Sequence, residues 1–515
     1  MAGAGDHIPV DGASVVRQDT PNSSSRPASA ARPGDRPQRP GQATRCTCSV
    51  GAVHDRLSPL DSSFLSIEDG VSHMHIASIG IFEGPAPRYD DLVAMVAGKL
   101  HLVPRYRQVV DRVPADLGRP VWVDDPHFNI GYHVRHTALP DPGGEVELRR
   151  LVGRVMSQQL DRSKPLWEIW MVDGLGGGRW AMASKTHHCM VDGVSGTELL
   201  SVIMDVTPEV HPPEPVEWEP QPRPSPLGLA VGAVADMARS PYEQFRAARS
   251  ALRVPRNAAG QVVAVGRGMT SMLGMVRPTP ASSLNGPIGP HRNWCWASTS
   301  VEDVRAVRKE HGGTFNDVVL ACITAGFREL LISRGESADR VVRTMVPVSV
   351  RPRGAGGVAV GDGVPENRVS AMFAELPVHE TDPVARLRAI SAQMAGLKDS
   401  QEAVAGEALT SLSGFAPPLL LALGGRIATK GSQRNINTVT TNVPGPQLPL
   451  YVLGRRMLQA FPFVPLGAQM RVTVAIFSYD GQVNYGVTGD YDAAPDIDVL
   501  CRGVEKGLAD LLVTS

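Results

Sequence analysis

The nine residues Lys185-Thr186-His187-His188-Cys189-Met190-Val191-Asp192-Gly193 close a strand-like run that begins at Trp180, just after the turn-forming Gly176-Gly177-Gly178. Successive side chains of an extended chain alternate between faces, so Trp180, Met182, Ser184, Thr186 and His188 fall on one face. The chain must leave the strand before Gly193, whose missing side chain permits a tight turn. Beyond it, Ser195 and Glu198 have capping-box spacing ahead of Leu199, Leu200, Ile203 and Val206, which recur at helical spacing. Two adjacent histidines thus stand where a strand hands over to a helix. A chain built this way needs a sheet covered by helices, a layered α/β fold, and its strand-end loops are where a rigid scaffold presents reactive groups.

The rest of the chain repeats that pattern twice. Residues 1–53 are rich in Pro, Ser, Ala, Gly and Arg, have scarcely any apolar periodicity, and read as a disordered tail. Strand-like and helix-like segments alternate from 54 to 206, with residues 73–82 as a strand. Residues 207–283 open on a proline-dense stretch, continue through Ala-rich sequence, and read as a connector with helices. A second mixed domain runs over 284–515. Ser300 and Asp303, then Thr314 and Asp317, have capping-box spacing at two helix starts, with Gly312 at the stop of the first. Residues 341–350 and 368–376 read as strands, and Asp480-Gly481 suits a tight turn between strands at 471–479 and 482–488.

Composition narrows the function classes. Lys plus Arg (51) and Asp plus Glu (52) nearly cancel, so there is no basic footprint for nucleic acid. The six cysteines, at 46, 48, 189, 295, 322 and 501, show no zinc spacing and read as free thiols in a reducing compartment. The adjacent histidines would point to opposite strand faces with no third ligand, so no metal site is expected. The most apolar stretch, 415–423, is short and contains Pro417 and Pro418, which argues against a membrane span. With no secretory leader pattern, a cytoplasmic location is expected.

An imidazole changes protonation state near neutral pH. His188 can therefore take a proton from an alcohol as its oxygen attacks a thioester carbonyl, then return it to the leaving thiolate, with no covalent enzyme intermediate. Asp192, four residues on, is expected to turn inward and hold the loop through an ion pair or hydrogen bonds. Each of these residues taken singly is ordinary turn or packing chemistry.

His187, His188, Asp192 and Gly193 match the HHxxxDG motif of the coenzyme-A-dependent acyltransferase superfamily and of peptide-synthetase condensation domains. Within it the chain resembles the bacterial wax ester synthase/diacylglycerol acyltransferase family. The supporting blocks are Leu57-Ser58-Pro59-Leu60-Asp61 with Phe64-Leu65, Pro165-Leu166-Trp167, Asn316-Asp317, Asn367-Arg368-Val369-Ser370 and Asn442-Val443-Pro444-Gly445-Pro446, in family order. The resemblance runs from about His54 to the end of the chain. It implies two chloramphenicol-acetyltransferase-like sheet-and-helix domains around a central tunnel, His188 as the base and His187 as a supporting residue. It also implies acyl-CoA as co-substrate with no bound cofactor, and a diacylglycerol or long-chain alcohol as acceptor.

The same resemblance associates Pro165, Leu166 and Trp167 with the substrate region, although a Pro-Leu-Trp entering a strand could equally be packing. Asn316 and Asp317 match a family block, yet Thr314 to Asp317 reads first as a helix start. Leu284-Asn285-Gly286 and Arg292 resemble a segment near the active site, from which Asn285 could donate to a developing oxyanion. Water-insoluble acceptors imply transient attachment to a membrane or lipid-droplet surface. Condensation-type amide formation and a catalytically weak lipid-binding homologue stay open as alternatives.

Overall fold

The computed structural model describes residues 55–191, 198–210, 217–235, 282–349, 369–399, 436–467 and 469–514. These lie within one compact unit spanning Val53–Ser515. The tail 1–53, the loop residues Asp192 and Gly193, the block from Asn367 to Arg368 and the apolar stretch 415–423 fall outside the described residues.

Two six-stranded sheets organise the chain. The first runs β11 (Tyr451–Val452), β12 (Arg455–Phe463), β1 (His75–Phe82), β6 (Arg179–His187), β5 (Trp167–Leu175) and β4 (Val134–Ala138). The second runs β7 (Arg292–Ser300), β14 (Gln482–Asp490), β13 (Val472–Tyr479), β10 (Thr438–Pro444), β8 (Val342–Ser349) and β9 (Val369–Leu376). A small ribbon pairs β2 (Gln108–Asp111) with β3 (Val121–Asp124). Each large sheet mixes parallel and antiparallel pairs, as the alternation of strands and helices requires.

Local sequence sets the element boundaries. Ser300 Oγ accepts from Glu302 N and Asp303 N at the start of helix Val301–His311, and Gly312 ends it at φ 83°. Thr314 and Asp317 exchange reciprocal cap bonds of 3.2 and 2.8 Å at the start of helix Phe315–Ser333. Asp480 and Gly481 take φ of 42° and 82°, the two positive values that a two-residue hairpin between β13 and β14 demands.

The alternation along β6 decides how the first sheet is covered. Trp180 and Met182 pack with Leu92, Met95 and Val96 of helix Tyr89–Lys99. Ala181 and Ala183 face the other way, toward Leu148, Val152 and Val155 of helix Glu145–Met156 and toward Trp294 and Trp296 of β7. Helix and strand approach so closely there that a Cβ on Gly153 would lie 2.6 Å from the Arg292 carbonyl oxygen. The second sheet buries its apolar face against helices Phe315–Ser333 and Ile497–Val513.

The sequence boundary at 284 does not separate the sheets. Strand β12, far beyond it, pairs antiparallel with β1 from Ala77↔Phe463 to Ile81↔Gln459 and so completes the first sheet. An unpaired β1 would leave a row of backbone groups unsatisfied, and the returning chain supplies their partners. In the connector, residues 226–235 are helical and bury Leu229 against Val109, Val121 and Val123. Among the described residues no helix is long and apolar enough to cross a membrane.

Candidate active site

Strand β6 stops at His187, and His188–Met190 form a single tight helical turn. The face shared by Trp180, Met182, Ser184 and Thr186 therefore ends one residue short of His188, which sits at the strand end as expected but takes its direction from the turn. Three contacts set that direction. The His188 N–H donates to the Met74 carbonyl at 2.8 Å, its own carbonyl accepts from Val191 N at 3.4 Å, and its ring lies against Phe64 with centroids 4.1 Å apart.

His188 as a residue is half-buried and its Nδ1 is shut off from solvent, so desolvation dominates its titration and lowers its pKa from 6.5 to about 4. Its own carbonyl oxygen pulls the other way, although that contact falls short of hydrogen-bond geometry and leaves Nδ1 without a hydrogen-bond partner among the described residues. The neutral imidazole is thus the form present near pH 7.

His187 points to the opposite face and is buried. Its Nδ1 accepts from Cys189 N at 3.1 Å, which caps the turn carrying His188. Its Nε2 lies 3.5 Å from Glu68 Oε2, an electrostatic contact longer than a good hydrogen bond. Glu68, at the end of helix Pro59–Ile67, gathers a buried polar cluster: Arg162 Nε donates to Oε2 at 3.0 Å, and His75 Nε2 lies 3.2 Å from Oε1. Burial alone would raise the Glu68 pKa, but the close approach of His187 and His75 and the guanidinium of Arg162 hold the carboxyl far below the usual carboxylate range. His75 is pushed down to about 3 by burial.

Glu68 is the site residue that sequence reading passed over. Its one local signal was an acid directly after helix 59–67, a few residues before His73 and His75. Lys185, on the same face as His187, is fully buried; its Nζ donates to the carbonyls of Val155 and Gln158, and burial lowers its pKa to about 8.

The Pro-Leu-Trp block abuts the motif. The Leu166 carbonyl accepts from His187 N at 2.9 Å, and Trp167 pairs with Thr186 across β5 and β6. Leu166 and Trp167 are core residues; the indole donates to Tyr106 O at 2.8 Å and stacks on His133 with centroids 4.5 Å apart. Of the two readings of this block, packing describes these two side chains, and their part in the site is to hold the strand that ends at His187.

The remaining candidates lie in the second sheet. Asp317 is buried and serves the capping box, while Asn316 Oδ1 accepts from Asn442 Nδ2 at 3.1 Å, joining two of the sequence blocks. Asn285 requires a correction: its Nδ2 donates to Ile436 O at 2.7 Å and Gln469 O at 3.3 Å, and its Oδ1 accepts from Asn437. Both amide hydrogens are committed to main-chain carbonyls, so this geometry leaves none for an oxyanion. Arg292 is buried and donates to the carbonyls of Gly289, His291 and Val71, tying β7 to the loop that follows Glu68. Among the described residues no cluster of His, Cys, Asp or Glu could hold a metal ion, and Cys189, Cys295, Cys322 and Cys501 are free and buried.

Paired sheets with a histidine at the end of β6 define the two-domain α/β class to which chloramphenicol-acetyltransferase-like acyltransferases belong, and comparison with known proteins agrees. A solved wax ester synthase/diacylglycerol acyltransferase from Marinobacter aquaeolei VT8 superposes with a TM-score of 0.62 at 25% identity, covering 89% of this chain and 99% of that one. The starter condensation domain of rhizomide synthetase, solved with C8-CoA and Leu-SNAC, shares the fold at a TM-score of 0.53 and 13% identity, over 92% of this chain and 96% of that one.

The family model for the wax ester synthase/diacylglycerol acyltransferase catalytic domain matches residues 57–319, and that for the WS/DGAT C-terminal domain matches 366–512. A probable diacylglycerol O-acyltransferase of Mycobacterium tuberculosis, tgs1, is 35% identical over 464 residues, 90% of this chain and 96% of the relative. The chain belongs to the wax ester synthase/diacylglycerol acyltransferase family, a family of acyltransferases.

Proposed function

We propose that this protein transfers a long-chain acyl group from acyl-CoA to the hydroxyl of diacylglycerol, a long-chain alcohol, or both, with His188 as general base. The observation that carries the reading is a neutral imidazole held at the end of β6 by the Met74 carbonyl and the Phe64 ring. As the acceptor oxygen forms its bond to the thioester carbonyl carbon, its proton passes to His188. When the tetrahedral intermediate collapses and the C–S bond breaks, that proton goes to the coenzyme A thiolate. The step is balanced within substrates and enzyme, so no metal or bound cofactor is required.

Asp192 and Gly193 shape the loop beyond His188 in this proposal. Relatives named as diacylglycerol O-acyltransferases favour the glyceride acceptor. Incubating purified protein with labelled palmitoyl-CoA and either diolein or hexadecanol tests the reading. Labelled triacylglycerol, wax ester or both is expected; absence of ester from every lipid alcohol overturns it. Transient docking on a lipid surface belongs to the same reading. Flotation with liposomes is expected, and protein wholly in the soluble fraction contradicts it.

A further inference from the structure

We infer that Glu68 is a positioning residue for acyl transfer and acts through His187; the inference rests on His188 being the base. The Cys189 N–H points at His187 Nδ1 from 3.1 Å, and a ring nitrogen that accepts a hydrogen bond carries no proton. Neutral His187 therefore holds its proton on Nε2. That nitrogen has no hydrogen-bond partner among the described residues and faces Glu68 Oε2 at 3.5 Å. A carboxylate opposite Nε2 stabilises this tautomer. With the proton on Nδ1 instead, two N–H groups would meet head to head and the turn at His188–Met190 would lose its cap.

Glu68 is itself fixed. Arg162 Nε donates to it, His75 Nε2 lies beside Oε1, and Met74 N lies 3.4 Å from Oε1. Met74 also accepts the His188 N–H, and Phe64, one helical turn before Glu68, lies against the His188 ring. One short helix and the acid at its end thus control both the ring of His188 and the turn on which it rides. An acid present only to balance Arg162 would have no reason to govern turnover through residue 187.

A double-variant cycle separates these roles. Glu68→Gln keeps the shape and removes the charge, and kcat is expected to fall about 100-fold, the scale of a misplacement near 1 Å, with KM little changed. His187→Asn supplies an amide oxygen that can accept from Cys189 N without any carboxylate. It is expected to stay within about tenfold of the parent kcat, and Glu68→Gln added to it is expected to change kcat no further. The same loss from Glu68→Gln in both backgrounds, an unaffected kcat in Glu68→Gln, or near-complete inactivity of His187→Asn overturns the proposal.

Should Glu68→Gln fail to fold, nitrogen-15 NMR of the histidine-labelled parent protein still tests it. The resonances lost in His187→Asn must report an unprotonated Nδ1 and a protonated Nε2, and the reverse tautomer refutes the proposal. Failure of the base reading is separately visible, because near-normal turnover in His188→Ala leaves both the cycle and the NMR result interpretable.

Discussion

Burial lowers the proton affinity of His188, and this has a signed consequence for pH dependence. The active form is the neutral ring, and a pKa of about 4 keeps it neutral far below the ordinary 6.5. The acid limb of kcat/KM is therefore expected near pH 4, with a limb at 6.5 contradicting the assignment. Stability shifts in the same direction. His75 and His133 are buried with pKa values lowered to about 3 and about 4, so the unfolded chain binds more protons than the folded one as pH falls below 6.5. Resistance to urea should decline from pH 6.5 toward 4, by roughly 1 kcal/mol per pH unit for each such histidine. His188 was legible in the sequence because its neighbours form a spaced motif. Glu68 was not, because its partners His75, Arg162 and His187 converge only after β1 and β6 pair.

At the scale of elements, the strand that ends in His187 is held by the strand beside it. Trp167 is fully buried between His133 and Tyr106, and its indole satisfies the Tyr106 carbonyl. Trp167→Ala is expected to cost about 3–5 kcal/mol in equilibrium unfolding, and a loss under 1 kcal/mol would show that β5 does not depend on this packing. Helix starts at Ser300 and Thr314 and the hairpin turn at Asp480-Gly481 were legible because each is decided by two or three adjacent residues. The choice between packing and substrate contact for Pro165-Leu166-Trp167 was not, since a period-two pattern fixes a face but not what covers it. The amide of Asn285 likewise found its acceptors in Ile436 and Gln469, some 150 residues and more along the chain.

On the scale of the whole molecule, β12 crosses back to pair with β1, and Trp294 and Trp296 of β7 join the core that covers the first sheet. The first half does not close its own core without these residues, so calorimetry of the described unit is expected to show one cooperative transition; two resolved transitions would indicate separable halves. The α/β class followed from alternating strand and helix signals, whereas the return of β12 to the first sheet depends on a pairing between residues 77–82 and 457–463 that no local pattern announces. The arrangement leaves the β6 terminus, braced from both sides, as the place where His188 is presented. Single-turnover transfer from labelled palmitoyl-CoA to diolein by His188→Ala is the most direct test of its role. A general base there predicts a rate about 100-fold to 10,000-fold below the parent with an unchanged unfolding midpoint, and a rate within a few-fold of the parent in a folded variant would contradict it.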